Sequence, residues 1–349
     1  MLTLNILSPF PVALLLFLIS LVIVTATSAW FTRRLEALCE LFGLSIGILS
    51  LLSAIGANIP NYAASTLAII SGHIDVGIGI IVGSSIYNIA ITLGLCTLAL
   101  RETSGIALNA QESQDVRGIA WYTLAIMLSI LLVIALLPSA AVTVANRRAG
   151  ASHLLLLAAL VVVLWIFSAL IVHILRRSHP APASSLATHS LTHLSASPAV
   201  RVFRVSGEVV LSLVVALMGV VVMVQSGQTV ATDLHLPQAL TGLVVLAVAT
   251  SLPNTVVAIS LARTGEAAAS VEEIFSSNNI NAALGVALPL LFWQGVLHDR
   301  SSILFLDMPL TILLTLGMFA GVFRRRMSST FGVVLLCIYA AWVIVHVWI

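Results

Sequence analysis

The chain has 349 residues, of which 60% are hydrophobic and 8% are charged. A soluble domain of this length carries about three times that fraction of charge, so a water-soluble globular protein is excluded. The formal net charge of +2 identifies no partner by itself, because the placement of charges matters more than their sum in a membrane protein.

Apolar segments recur along the whole chain, and each is long enough to cross about 30 Å of hydrocarbon. The first segment is followed, not preceded, by Arg33 and Arg34. That order is the reverse of a cleavable signal peptide, so we expect this segment to remain as a membrane span. The sequence therefore predicts an all-α polytopic membrane protein of about ten spans. The predicted spans are approximately 9–30, 37–71, 74–99, 118–138, 152–175, 205–226, 238–263, 270–297, 302–323 and 329–348.

A six-residue pattern with a proline and an asparagine at its end occurs in the second span and again in the seventh. Gly56 to Asn61 reads GANIPN, and Ala249 to Asn254, 193 positions later, reads ATSLPN. The same offset relates three further pairs of residues: Gly72 and Gly265, Ser84 and Ser277, and Asn88 and Asn281. The chain is therefore predicted to contain two repeats.

Between the fifth and sixth predicted spans lies a polar segment, 176–204, that is rich in Ser, Pro, Ala and His. This composition predicts a flexible linker. We expect a first repeat at 1–175 and a second at 205–349, with five spans in each. Because five is an odd number, the second repeat should enter the membrane upside down, as in inverted-repeat transporters.

The arginines predict the orientation. All 15 basic residues are arginine, and 12 of them lie on the side of the membrane that holds the linker. The other side has Arg147, Arg148 and Arg300. Cytoplasmic connections are the basic ones, so we expect a cytoplasmic linker and both termini outside, in a plasma (bacterial inner) membrane.

The prolines predict where a site should form. Pro60 and Pro253 have no N–H, so the carbonyls of Gly56 and Ala249 lose their helical partners. Free carbonyls at membrane depth are tolerated where they line a cavity or meet a ligand. We expect two broken helices to meet near the middle of the membrane and to form an ion or substrate site.

The stretches Ala249 to Asn254 and Gly83 to Asn88 resemble the two alpha repeats of the sodium/calcium exchanger superfamily. In this chain the repeats correspond to 54–95 and 247–288. By this resemblance, backbone carbonyls of Ala54 and Ala247 would also contribute. The side chains that the resemblance and the motif assign to the site are Asn58, Asn61, Ser84, Asn88, Thr250, Ser251, Asn254, Ser277 and Asn281.

The chain also departs from the family pattern. The family places a glutamate after each proline as a principal calcium ligand, whereas this chain has Asn61 and Asn254. Ala57 and Asn58 stand where Thr and Ser are usual. Hard divalent ions require several charged oxygens, so we expect altered selectivity that favours Na⁺, K⁺ or H⁺ and makes Ca²⁺ doubtful.

Glu273 lies one helical turn before Ser277 and could supply the missing charge or carry a proton. The alternative is a position near the membrane surface. Asp75 and Glu266, beside the tight connections after the two motifs, are expected to be solvated helix ends.

The function predicted is that of a secondary active cation antiporter working by alternating access around spans two, three, seven and eight. Two alternatives remain: a transport-inactive relative that acts in interaction or sensing, and a carrier of a neutral or anionic solute. The sequence contains no catalytic constellation, phosphate loop or nucleic-acid module. We therefore expect that the protein is not an enzyme and has no cofactor, no nucleic-acid partner and no metal beyond the transported ion. We expect membrane lipid to surround it.

Overall fold

The computed structural model describes residues 10–42, 54–100, 105–138, 149–177, 198–237, 240–293 and 295–348. Within these ranges, nine helices are long and apolar enough to cross a membrane, and Ile59–Ile70 is a shorter apolar helix. Residues 43–53, which precede that part of the second span, lie outside the described ranges. The all-α architecture with about ten spans agrees with the prediction.

Among the described residues, the first half contains six α-helices, one π-helix and one short strand. In chain order they are α1 (Phe10–Leu41), α2 (Ile59–Ile70), α3 (Ile74–Tyr87), π1 (Asn88–Leu93), α4 (Gly94–Ala99), β1 (Gly105–Ala107), α5 (Ala110–Leu136) and α6 (Ala149–Arg177). The Asn109 side chain caps α5 by accepting from the Glu112 N–H, and Glu112 accepts from the Asn109 N–H in return.

The described part of the second half contains five spans, and its short strand lies between the fourth and the fifth of them. Its elements are α7 (Pro198–Asp233), π2 (Thr241–Leu246), α8 (Ala247–Arg263), α9 (Ala267–Ile280), π3 (Asn281–Ala287), α10 (Leu288–Phe292), α11 (Arg300–Ser302), π4 (Ile303–Asp307), α12 (Met308–Phe323), β2 (Arg326–Ser328) and α13 (Ser329–Trp348). Strands β1 and β2 pair antiparallel, and so join the two halves at one end of the bundle.

The repeat seen in the sequence is also a repeat of local structure. Helices α3 and α9 both have 14 residues. Each follows a glycine of positive φ, +87° at Gly72 and +88° at Gly265, where a side chain would be strained. Each continues into a π-helix that begins at the matched asparagine, Asn88 or Asn281.

The two proline motifs fold differently from each other. In the first, Asn58 interrupts the helix and Pro60 lies in the first turn of α2, where its missing N–H costs nothing. In the second, Pro253 lies inside the continuous helix α8. The expectation that both helices break is therefore wrong for the seventh span, because one proline removes a single backbone hydrogen bond and need not end a helix.

The ends of the predicted linker are helical, because α6 extends to Arg177 and α7 begins at Pro198. The central part of the expected linker, 178–197, lies outside the described residues. Its predicted flexibility stays a prediction.

The third and eighth spans form the centre of the bundle. Of the most apolar window in Ile74–Ala99, 94% is buried, against 17% for the last span, Ser329–Trp348. A span that is enclosed by protein on all sides has room for polar side chains that lipid would exclude.

Close backbone contact between the halves predicts a large effect of one substitution. In Gly83→Ala, the new Cβ would lie 2.7 Å from the Leu243 carbonyl carbon and 2.8 Å from the Ala247 Cβ. Because backbone must move, we expect thermal unfolding in detergent to show a loss of about 1–3 kcal/mol. Gly207→Ala is the control, since no atom lies within 4 Å of its added Cβ. Equal melting temperatures for the two variants would contradict the close backbone contact at Gly83.

Candidate cation-binding site

A buried polar network lies where the two repeats meet, and Asn58 is its centre. The Asn58 side chain is 0% exposed. Its Nδ2 donates to the Ala54 carbonyl at 2.8 Å and to the Ser277 Oγ at 3.0 Å. The break before α2 thus allows an amide of the first repeat to reach the second repeat.

The two asparagines that follow the prolines meet at this amide. The Asn58 Oδ1 accepts from the Asn254 Nδ2 at 2.7 Å and lies 3.5 Å from the Asn61 Nδ2. The structure therefore brings Asn61 and Asn254 together, with the Asn58 oxygen between them.

The Asn61 oxygen extends the network to the third and seventh spans. It accepts from the Ser84 Oγ at 3.2 Å and from the Ser251 Oγ at 3.4 Å. All three side chains are fully buried. Side chains from spans two, three, seven and eight are therefore linked by hydrogen bonds in one place.

A carboxylate adjoins this network. The Ser277 Oγ donates to the Glu273 Oε1 at 3.1 Å, and the Glu273 side chain is partly buried. One face of α9 thus presents a carboxyl group next to the amides and hydroxyls.

Other residues of the predicted set lie at the margin of the network or outside it. Thr250 donates back to the Leu246 carbonyl at 2.8 Å and lies 3.3 Å from the Ala247 carbonyl. Asn88 Nδ2 donates to the Asn278 Oδ1 at 3.0 Å. Among the described residues, neither amide atom of the buried Asn281 has a hydrogen-bond partner. The Ala54 and Ala247 carbonyls already accept from side chains, so either would need a rearrangement to bind an ion.

Several buried polar contacts were not anticipated from the sequence. Besides Asn278, they include Thr92 with Thr255 at 2.7 Å, Asn279 with Thr123 at 2.9 Å, and Ser65, which donates to the Gly285 carbonyl at 2.6 Å. The available signal was the presence of amides and hydroxyls in apolar spans, since such groups need partners there.

Asp75 differs from the expectation. It is 2% exposed, not solvated, and its Oδ1 accepts from the backbone N–H groups of His298 and Asp299 at 2.8 Å each. The His298 Nδ1 lies 2.9 Å from its other oxygen. Asp75 therefore holds the connection before α11, whereas Glu266 is exposed as expected.

Apart from the Glu273 carboxyl group, the oxygens of the site belong to neutral amides, hydroxyls and carbonyls. Within the described part of the chain, no three His, Cys, Asp or Glu residues gather as a metal cluster. Among the described residues the buried Oδ1 atoms of Asn88, Asn254 and Asn281 have no hydrogen-bond partner. An unpaired buried acceptor is costly, by about 1–3 kcal/mol, and a bound cation would satisfy it.

A polar centre enclosed by two related helical repeats defines the class of the protein as a membrane transporter. The family model for the sodium/calcium exchanger protein matches residues 12–171 and 206–348. The chain therefore belongs to the sodium/calcium exchanger family, a family of membrane ion antiporters and not of enzymes. The resemblance, the fold class and the expectation of a transporter are confirmed.

Solved structures share the fold. The sodium–calcium exchanger NCX_Mj, soaked with 10 mM Na⁺ and zero Ca²⁺, superposes with a TM-score of 0.62 and 17% identity. The match covers 95% of this chain and 98% of that one. At this identity the likeness shows the fold.

Curated relatives match this chain over between 20% and 80% of its length. Inner membrane protein YrbG of Escherichia coli is 24% identical over 282 residues, which cover 80% of each chain. Putative antiporter CaxA of Alkalimonas amylolytica is 31% identical over 111 residues, 32% of this chain and 34% of that protein. Sodium/potassium/calcium exchanger 4 of Homo sapiens is 37% identical over 70 residues, which are 20% of this chain and 11% of that exchanger.

Proposed function

We propose that this protein is a cation antiporter in which a monovalent cation, Na⁺ or K⁺, or a proton is carried in preference to Ca²⁺. The proposal rests on one observation: the side chains after the two prolines are the amides Asn61 and Asn254, which meet at Asn58. Residues 1–175 and 205–349 would be the two exchanger repeats. The protein would lie in the plasma (bacterial inner) membrane with segment 176–204 in the cytoplasm and both termini outside.

Charge balance supports a monovalent ion. Glu273 contributes one negative charge beside Ser277, and the amides and hydroxyls contribute none. A monovalent cation would bring the sum to zero, whereas a divalent one would leave an excess positive charge in a low-dielectric environment.

The hydrogen bonds suggest how the site would open and close. In the structure, Asn58 Nδ2 donates to the Ala54 carbonyl and the Ser277 Oγ. Both of these oxygens would be ligands of a bound cation. Rotation of the Asn58 amide would release these oxygens to the ion. It would also break the Asn58–Asn254 bond between the repeats. Binding would thus be coupled to the contact between the two halves, as alternating access requires.

The same bonds give a second candidate some support. Asn58 joins the first repeat to Asn254 and Ser277 of the second, and a firm connection between the halves would oppose their relative movement. A transport-inactive relative acting in interaction or sensing would have this property. A carrier of a neutral or anionic solute is the third candidate, although Glu273 next to the network opposes an anion.

The test is the replacement Glu273→Gln in purified protein, with thermal unfolding followed in Na⁺, K⁺, Ca²⁺ and Mg²⁺ and with flux measured in proteoliposomes. Unit charges about 4 Å apart attract by about 4 kcal/mol at an effective dielectric constant of about 20. The partly exposed carboxylate contributes less than this limit, so we expect monovalent affinity to fall by about two orders of magnitude.

Glu266→Gln is the matched control, because Glu266 is exposed at the start of the same helix. It should bind and transport as the wild type does. If the wild type transports no ion down a gradient, the result would favour the transport-inactive relative. If it transports a solute and no cation affects the flux, the result would favour the carrier of a neutral or anionic solute. Unchanged cation affinity in Glu273→Gln would contradict the proposed role of this carboxylate.

A further inference from the structure

A second buried carboxylate lies away from the candidate cation site, between the ninth and tenth spans. Asp307, the last residue of π4, is 0% exposed. Its Oδ1 accepts from the Trp342 Nε1 at 2.8 Å, and the His346 Nε2 lies 3.0 Å from the same oxygen. Among the described residues, the Asp307 Oδ2 has no hydrogen-bond partner.

The His346 ring has an oxygen beside each of its nitrogens. Its Nδ1 lies 3.0 Å from the Trp342 carbonyl oxygen, and a carbonyl can only accept, so Nδ1 carries a hydrogen. A neutral imidazole has one N–H. With Nδ1 protonated, the Nε2 beside Asp307 would present a lone pair to a carboxylate. A second proton, on Nε2 or on Asp307, is therefore needed to make this contact favourable.

We propose that Asp307 and His346 form a proton-binding site that clamps α13 to π4. With the proton bound, the pair is neutral overall, either as carboxylate with imidazolium or as carboxylic acid with imidazole. Without it, a negative charge remains at a fully buried position inside the membrane domain, which is expensive. The shared proton belongs to the pair and not to either residue alone.

Charged groups on the elements that pack against π4 have other partners. Arg300 of α11 donates to the Ala135 carbonyl of α5. Asp75 of α3 is held by His298 and Asp299. Helix α12 has no titratable residue, and the part of α5 from 123 to 136 has none. The remaining titratable groups of α5 (Glu112, Asp115, Arg117 and Tyr122) lie in its first half.

The titratable groups around His346 on α13 and its neighbours are also accounted for. Tyr339 packs on Trp342, with ring centroids 5.4 Å apart, and on Tyr87 at 5.9 Å. Cys96 of α4 accepts from the Ser270 hydroxyl at 3.4 Å. Cys337 is exposed, and Arg326 of β2 lies at the opposite end of α13. None of these supplies a positive charge to Asp307 in place of the shared proton.

The Asp307–His346 site is connected to the third span because α13, which carries His346, packs against that span. The Ser329 hydroxyl donates to the Thr97 carbonyl at 3.3 Å, and Tyr339 packs edge-on against Tyr87. The span that α13 supports in this way carries Ser84 and Asn88. Loss of the proton would therefore weaken the packing of α13 against the third span at the centre of the bundle. This effect does not depend on which ion the protein carries.

The experiment compares the thermal stability of the full-length protein in detergent between about pH 6 and about pH 10. The proton stabilises the folded state while it is bound, so stability is fully present at the acidic end and is lost as the pH rises through the titration of the pair. We expect the wild-type melting temperature to fall over this range. The fall should be absent in Asp307→Asn, which replaces the carboxylate by a neutral amide of the same shape.

His298→Gln is the matched control. It removes a histidine that also lies beside a buried aspartate, but its side chain is 70% exposed and the Asp75 carboxylate already accepts two backbone N–H groups. This variant should keep the alkaline loss of the wild type. Equal alkaline losses in the wild type and Asp307→Asn would overturn the proposal.

Infrared difference spectroscopy gives a readout that does not depend on stability. The acid-minus-alkaline spectrum of the wild type should contain a carboxyl or imidazole band that disappears in the double variant Asp307→Asn/His346→Gln. In His346→Gln alone, the proton must reside on Asp307, so a carboxylic-acid C=O band is expected. Absence of every such band in folded protein would also overturn the site.

Discussion

Replacing both Asn61 and Asn254 by glutamate is expected to create a protein that Ca²⁺ stabilises against heat. The two side chains lie on either side of the Asn58 oxygen, so both new carboxylates would point into one buried volume. Calcium affinity rises with the number of carboxylate ligands. At a Ca²⁺ concentration about 100 times Kd, the expected stabilisation is about 2.7 kcal/mol.

The charge, and not the length of the side chain, should cause this effect. The double variant Asn61→Gln/Asn254→Gln has the length of glutamate without its charge and is therefore the matched control, with no calcium response expected. Without Ca²⁺, the two carboxylates repel each other, so the glutamate variant should be less stable than the wild type. If it folds and remains insensitive to Ca²⁺ and Mg²⁺, the two positions do not face a common ion site.

Truncation of Asn58 is the second large effect that the structure predicts. Asn58→Ala removes an amide that contacts Ala54, Ser277, Asn254 and Asn61. The partners are buried and cannot turn to water, so the free energy of unfolding should fall by about 2–4 kcal/mol. Thermal or denaturant unfolding in detergent measures this loss.

Asn279→Ala is the appropriate comparison, because Asn279 is equally buried but its side chain makes one hydrogen bond among the described residues, to Thr123 at 2.9 Å. Its loss should be about 1 kcal/mol. Addition of Na⁺ or K⁺ should recover part of the stability of Asn58→Ala, since the Ala54 carbonyl and the Ser277 hydroxyl become available to an ion. Similar losses in both variants would mean that Asn58 is not the centre of the network.

Span positions were predictable because apolar segments have to match the thickness of a membrane. The expected ninth and tenth spans, 302–323 and 329–348, correspond closely to the observed spans Arg300–Phe323 and Ser329–Trp348. The two tight connections after the motifs were likewise marked by Gly72 and Gly265, whose positive φ only glycine adopts easily.

What the sequence did not reveal depends on contacts between distant residues. Pro253 predicts a break, yet the packing around α8 keeps that helix continuous. Asp75 has the local context of a solvated helix end, and its burial depends on His298, far along the chain. Asp307 and His346 are likewise separated by most of two spans, and no short pattern joins them.

Asn58 illustrates an intermediate case. The duplicated motif placed it two residues before Pro60 and made it a candidate site residue, although it departs from the family pattern. Its central position became visible only when the four spans were assembled, since its partners Asn254 and Ser277 lie in the other repeat.

The π-helices that begin at Asn88 and Asn281 have a mechanical consequence. A π turn accommodates one residue more than an α turn. Relaxation of either turn to α geometry would slide the following segment by one residue and turn it about its axis by about 100°. An extra residue occurs at the equivalent place in each half. One half could therefore shorten its helix by forming a π turn while the other lengthens its helix by losing one, and this reciprocal change would need no hinge loop.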